Sequence, residues 1–230
     1  MQRWLRRSLW DVVPRDQRDS PEVLRRRQVI TVLTVLLGAV LLGVSLRIEP
    51  GSDWFYVGTL ALAAVWTVGA FASGPLHLGR IARLRGEGMV RPVVAPVVIG
   101  LGLAGVFVLG ALVVREIPWL EDQVRSVTDF ADRGALPVLV VVTAVNGAAE
   151  ELFFRGAAYA AVPRHPVLWT TVAYVIATAA TGNVMLAFAA ILLGTLVGLQ
   201  RRASGGILAP VLTHVSWGLA MLLVLPLLFG

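Results

Sequence analysis

Seven apolar stretches, at about 29–46, 54–74, 92–114, 136–161, 167–183, 184–200 and 207–229, each approach the length that a helix needs to cross the hydrocarbon core of a bilayer. Within that core every backbone amide has to be bonded inside its own segment or inside a closed barrel, so runs this long and continuous are expected to be helices. The expected fold is all-α, a polytopic transmembrane helical bundle of about seven spans. Six to eight stay open, because only Gly182 and Asn183 separate the fifth run from the sixth. Composition supports this: 57% of the 230 residues are hydrophobic and 15% are charged, which excludes a water-soluble enzyme. One transmembrane domain is expected over 29–230, preceded by a basic segment, 1–28. The chain has no cysteine, so disulfides, thiolate nucleophiles and cysteine metal sites are excluded.

Spans that alternate in direction sort the connecting segments onto two sides. All 20 basic residues are Arg. Eight lie in 1–28 and four in 75–91 (Arg80, Arg83, Arg85 and Arg91); with Arg164, Arg201 and Arg202 they fall on one side. Arg47, Arg115, Arg125 and Arg133 fall on the other. The positive-inside tendency makes the first side cytoplasmic, which places the N-terminus inside; the all-Arg basic set fits the codon bias of a GC-rich bacterial genome, and a bacterial inner (cytoplasmic) membrane is the expected location. The net charge of +6 is therefore a topology signal. Membrane lipids are the expected partners, and no nucleic acid is. Because residues 1–28 are polar and basic, the pattern is not that of a cleavable signal peptide, and the first span is expected to be retained.

Two further segments invite a local reading. Leu5, Leu9 and Val12 recur at helical spacing beside Trp4, Trp10 and three Arg, which fits either a short interfacial helix on an anionic membrane surface or a basic tail. The connection 115–135 carries Glu116, Glu121, Asp122, Asp129 and Asp132 and reads as a solvated acidic loop, with room for a short helix near Trp119 and Leu120. No chemistry is assigned to it.

The fourth run is interrupted by charge, at Glu150, Glu151 and Arg155. An ionisable side chain at the bilayer centre costs about 2.5–3.5 kcal/mol on insertion scales, and such groups usually face a protein interior or a cavity and act there. Glu151 and Arg155, four apart with the acid first, share a helix face and can pair. Glu150 is five residues from Arg155, about 140° around a regular helix, and shares its face with Thr143, Asn146 and Phe154. It is the less neutralised carboxylate, suited to take a proton from water and return it. The alternative is a structural cluster that fixes helix packing, with Gly147, Ala148 and Ala149 allowing close approach.

His77 and His165 fall in connections and read as solvated, whereas His214 lies at membrane depth. At 1.5 Å per residue from the nearest cytoplasmic turns, His214 lies at about 15 Å and Glu150 at about 20 Å. The two are expected to meet across one intramembrane cavity. Otherwise His214 is a core histidine bonded to a backbone carbonyl.

The stretch Glu150-Glu151-Leu152-Phe153-Phe154-Arg155-Gly156 resembles the EExxxR motif of the CAAX-protease and bacteriocin-processing family of intramembrane proteases, also called the Abi or type II CAAX prenyl endopeptidase family. Gly194-Thr195-Leu196-Val197-Gly198 and the run from Ser204-Gly205-Gly206 to His214 resemble the stretch leading to that family's last catalytic histidine. The resemblance covers about residues 136–220. It implies that Glu150 activates the attacking water, that Glu151 and Arg155 support it, and that His214 stabilises the oxyanion. A buried base and a preorganised donor suffice for amide hydrolysis without a covalent intermediate.

Two motif positions differ. The family's FxxxH aligns with Ala179 and Asn183, with Thr178 as a rival polar group. Its HxxxN becomes His214 and Gly218, where Ser216 is the available substitute. A catalytic zinc site needs three protein ligands, and Glu150, Glu151 and one His would have to supply them against competition from Arg155. No metal and no cofactor is expected. The resemblance implies an intramembrane endopeptidase acting on a membrane-associated peptide, lipidated or not, near the cytoplasmic leaflet. The departures leave open a non-hydrolytic member acting as an immunity-type or scaffold protein. The intramembrane charge alone leaves open a proton-coupled transporter, although no matching pair of interrupted spans is visible.

Overall fold

The computed structural model describes residues 2–13, 19–45, 47–49 and 52–229; the sequence expectations for Arg15 and Arg18 lie outside these residues. In chain order its elements are α1 (Gln2–Leu9), α2 (Pro21–Ser45), α3 (Asp53–Ser73), β1 (Ile81–Ala82), β2 (Met89–Val90), α4 (Val94–Val114), α5 (Pro118–Arg133), α6 (Leu136–Ala161), α7 (Pro166–Ala179), α8 (Val184–Ser204), α9 (Leu208–Val224) and α10 (Pro226–Phe229). Among the described residues, six segments are long and apolar enough to cross a membrane: α2, α3, α4, α6, α8 and the α9–α10 pair. The fold is a polytopic helical bundle. The fifth apolar run gives only α7, whose 14 residues span about 21 Å and fall short of a hydrocarbon core of about 30 Å.

Local chemistry sets the ends of these helices. Ser52 caps α3 through its side chain, and Asn183 caps α8 by accepting from the N–H groups of Met185 and Leu186 at 2.9 and 3.0 Å. Pro118, Pro137 and Pro166 sit in the first turns of α5, α6 and α7, where a missing N–H leaves no bond unmade.

Neighbours pack as antiparallel hairpins, α2 on α3 and α7 on α8, while α9 lies against α4, α6 and α8. The second half of α6 is the hub and touches α2, α3, α7 and α8. Its core contact is a stack of Trp66 on Phe153, with ring centroids 4.9 Å apart and both side chains buried. The outer face of α2 leaves Val29, Leu33, Leu36, Val40 and Val44 exposed in one stripe, a surface suited to lipid rather than water.

Residues 75–91 are docked onto the bundle. Ile207 and Leu208 donate backbone N–H to the carbonyls of His77 and Leu78 at 2.8 and 3.1 Å, and Arg80 donates to Ser204 O at 2.7 Å. A Cβ at Gly206 would overlap the backbone of 77–79, so the turn before α9 needs glycine there. Residues 2–9 are helical and also lean on the protein: Leu9 is buried, Arg7 Nη1 donates to Ala82 O at 2.8 Å, and Trp10 and Val12 stay exposed.

The connection 115–135, expected as a solvated loop, is instead the amphipathic helix α5. Val124, Thr128 and Phe130 are buried beneath a charged outer face that includes the Arg125–Glu121 ion pair at 2.8 Å. Asn183 ties it down, its Nδ2 donating to Gln123 O at 2.6 Å and Ser126 Oγ at 3.1 Å. Asn183→Ala removes a helix cap and both tethers, and is expected to cost about 1–2 kcal/mol, read as a lower thermal unfolding midpoint in detergent.

Candidate functional site

In the second half of α6 the winding changes. Residues Leu152–Ala158 form a π-helical stretch, a wider turn that often marks a functional position. The carbonyl of Arg155 accepts from Arg201 Nε at 2.6 Å. The regular 100° count therefore holds only as far as Glu151. Phe154 packs in the core between Trp66 and Tyr174, with ring centroids 5.1 and 5.0 Å away, and so lies towards the same tyrosine that Glu150 bonds.

Glu151 and Arg155 are fully buried and paired, with Arg155 Nη1 donating to Glu151 Oε1 at 3.1 Å. Arg155 Nη2 donates to Gly194 O at 3.1 Å, and the guanidinium carbon lies 4.8 Å from the Tyr174 ring centroid. A Cβ at Gly194 would press on Arg155, Thr171 and Tyr174 at 3.1–3.3 Å, so this glycine makes room for the cation.

His214 reaches the same carboxylate. Its Nδ1 lies 2.8 Å from Glu151 Oε1. A carboxylate paired to Arg155 accepts rather than donates, so the network assigns the proton to Nδ1 and turns Nε2 towards Glu150, 3.9 Å from Oε2. Glu150 has one firm partner, the Tyr174 hydroxyl, which donates to Oε2 at 2.7 Å. Among the described residues no hydrogen bond reaches its Oε1.

Charge balance follows from this arrangement. Two carboxylates and one guanidinium sum to a single negative charge, which an apolar interior disfavours. One proton shared between Glu150 and His214 neutralises the cluster. With the proton on His214, the site holds a free carboxylate beside a charged N–H donor.

Glu150 and His214 open onto a cavity of about 480 Å³, within the range of ligand pockets, walled by α4, α5, α6, α8 and α9 and including Thr143, Asn146, Phe107 and Trp217. Its walls are almost wholly apolar away from these two residues.

The structure thus brings Glu150, Glu151, Arg155 and His214 together. It does not bring the three substitute residues to them. Asn183 is committed to α5 and α8, Thr178 Oγ1 donates to Tyr174 O at 2.9 Å, and Ser216 Oγ donates to Leu212 O at 2.7 Å. The polar group beside Glu150 is Tyr174, four residues before Thr178. Its signal in the sequence was a lone hydroxyl-bearing aromatic within an apolar run, which needs a partner when buried. Tyr174→Phe is expected to slow any reaction at Glu150 about tenfold, the equivalent of one hydrogen bond, and a kcat comparison checks this. Among the described residues no group of three His, Asp or Glu side chains is placed to hold a metal ion; Glu151 Oε1 is already shared by Arg155 and His214.

The class defined by fold and site is a multi-pass membrane helical bundle with a buried carboxylate cluster beneath an apolar cavity. Residues 132–220 match the family described as Rce1-like, type II CAAX prenyl endopeptidase Rce1-like, and that stretch contains Glu150, Glu151, Arg155, Tyr174 and His214. No curated protein and no solved structure matches the chain.

Proposed function

We propose that the protein is an intramembrane endopeptidase that hydrolyses a peptide bond of a membrane-associated peptide with water activated by Glu150. The observation that carries this reading is a carboxylate and an imidazole nitrogen 3.9 Å apart in the wall of an apolar cavity. A point beside the line joining them lies within about 2.8 Å of both, so one water can bond to both.

The chemistry follows from those positions. Glu150 takes a proton from the water as its oxygen attacks the carbonyl carbon. The negative charge that forms on the carbonyl oxygen is met by the Nε2–H of protonated His214. The C–N bond then breaks, and the proton held by Glu150 passes to the leaving nitrogen, giving a carboxylic acid and an amine. Glu151 and Arg155 are positioning residues: they fix the imidazole ring through Nδ1 and do not touch the reacting atoms. The Arg distribution supports an N-terminus on the cytoplasmic side of the membrane.

One observation favours a second reading, a non-hydrolytic binding protein. The residue at the family's FxxxH position, Asn183, is spent on α5, which leaves His214 without a second histidine. A single assay separates the two readings. Purified protein in proteoliposomes is offered a mixture of apolar membrane peptides beside Glu150→Gln. If the two are equally inert, the hydrolytic reading fails.

A further inference from the structure

The π-helical stretch of α6 leaves one backbone carbonyl behind. Where the winding returns to α, the N–H of Tyr159 bonds the carbonyls of Phe154 and Gly156 and passes over that of Arg155, its acceptor in a regular helix. A carbonyl buried away from water needs a donor, and Arg155 is fully buried. The donor comes from α8. Arg201 Nε reaches the carbonyl of Arg155 at 2.6 Å, and its guanidinium carbon lies 4.8 Å from the centroid of the Tyr159 ring. One side chain, itself only 6% exposed, thus holds both residues whose mutual bond the wider turn gave up.

We infer that Arg201 is a positioning residue for the site: it supplies the N–H that the π turn withdraws from Arg155, and so fixes the winding that aims the Arg155 side chain at Glu151. Its part in a reaction rests on the endopeptidase reading; its hold on the winding and on His214 does not.

Contacts carry that hold to the reacting groups. Arg155 Nη1 donates to Glu151 Oε1 at 3.1 Å, and the same oxygen lies 2.8 Å from His214 Nδ1. The two helices also grip each other in both directions, because Arg155 Nη2 donates to Gly194 O of α8, about 10 Å along that helix from Arg201. Without Arg201, the carbonyl of Arg155 is satisfied by returning to the N–H of Tyr159, which restores α winding. Going from i→i+5 to i→i+4 bonding displaces one residue, about 100° of rotation, and Arg155 lies inside the stretch that turns.

Met and Gln at position 201 separate a donor from bulk. Each extends as far as Nε of Arg201, Met ending there in a methyl group and Gln in an NH2 group, and both lose the guanidinium charge. Arg201→Met and Arg201→Gln are compared with the parent protein in lipid nanodiscs, with Arg201→Ala as a second donor-free variant should Arg201→Met not fold. Deuterium exchange of the backbone amides over 152–161 reads the winding, and the 15N signals of the His214 ring read the site. His77→Gln and His165→Asn in every sample leave His214 as the only histidine of three, and Asn tolerates the left-handed backbone at 165, where φ is 51°.

Arg201→Met is expected to speed exchange at 156–161 on the order of tenfold relative to the rest of the bundle, the worth of about one hydrogen bond, and to shift both His214 signals. Where a peptide is cleaved, kcat falls on the order of tenfold at unchanged KM, because Arg201 is not part of the cavity wall. Arg201→Gln keeps all of these near the parent. Met and Gln variants that behave alike, exchange that rises evenly over the bundle, or His214 signals that stay in place in the donor-free variant overturn the inference. Exchange and the His214 signals need no bond to be cut. If both move as expected and no sample cleaves a peptide, the endopeptidase reading fails and the hold of Arg201 on His214 stands. Cleavage that the donor-free variant leaves unchanged, with unmoved signals, does the reverse.

Discussion

Replacing Glu150 by Gln is expected to lower the single-turnover cleavage rate by about 10³-fold while the thermal unfolding midpoint in detergent stays where it was. The substitution keeps the shape of the side chain and an oxygen that accepts from the Tyr174 hydroxyl, whose bond to Oε2 is 2.7 Å. It removes the carboxylate to which the proposed reaction assigns proton transfer from water to the leaving nitrogen. It also lifts the single uncompensated negative charge of the cluster, so folding has no reason to suffer. Glu150→Ala is a poorer probe, because it strands a buried Tyr hydroxyl. A loss of less than tenfold, or a rate that falls in step with stability, would make Glu150 a packing residue.

Arg155→Met is expected to act on the fold instead, at about 3–5 kcal/mol, the usual effect of leaving one member of a buried ion pair alone. Both partners are fully buried and 3.1 Å apart. Without the guanidinium, Glu151 keeps an uncompensated charge in a fully buried position or must be protonated, and protonation weakens its hold on the Nδ1–H of His214. The double variant Glu151→Gln with Arg155→Met removes both charges and is expected to recover most of that stability but no activity. Denaturant unfolding of the two single variants and the double variant gives the coupling energy directly. A coupling below about 1 kcal/mol would mean that the pair contributes little to the fold.

The spans were legible because a bilayer imposes a length and a composition that few other folds satisfy. Glu150, Glu151, Arg155 and His214 were legible for the converse reason, being polar where the pattern demands apolar. Tyr174 was not, since an aromatic in an apolar run fits a core or a lipid-facing position equally well until its neighbour is known. The helix α5 was obscured by its acids: Val124, Val127, Thr128 and Ala131 repeat at helical spacing, but five carboxylates outweighed them in a reading by composition. The π-helical turn at Leu152–Ala158 left no compositional trace, since its residues are ones that a regular helix also accommodates.

The short helix α7 carries a consequence for the surrounding lipid. It bears Tyr174, yet at 14 residues it ends about 9 Å before the far surface of an average bilayer. Lipids beside it must shorten or tilt to meet Ala179, at a cost of fractions of a kcal/mol per Å of mismatch. The membrane is thus thinnest along the wall that positions Glu150, and acyl-chain length becomes a variable of the proposed reaction.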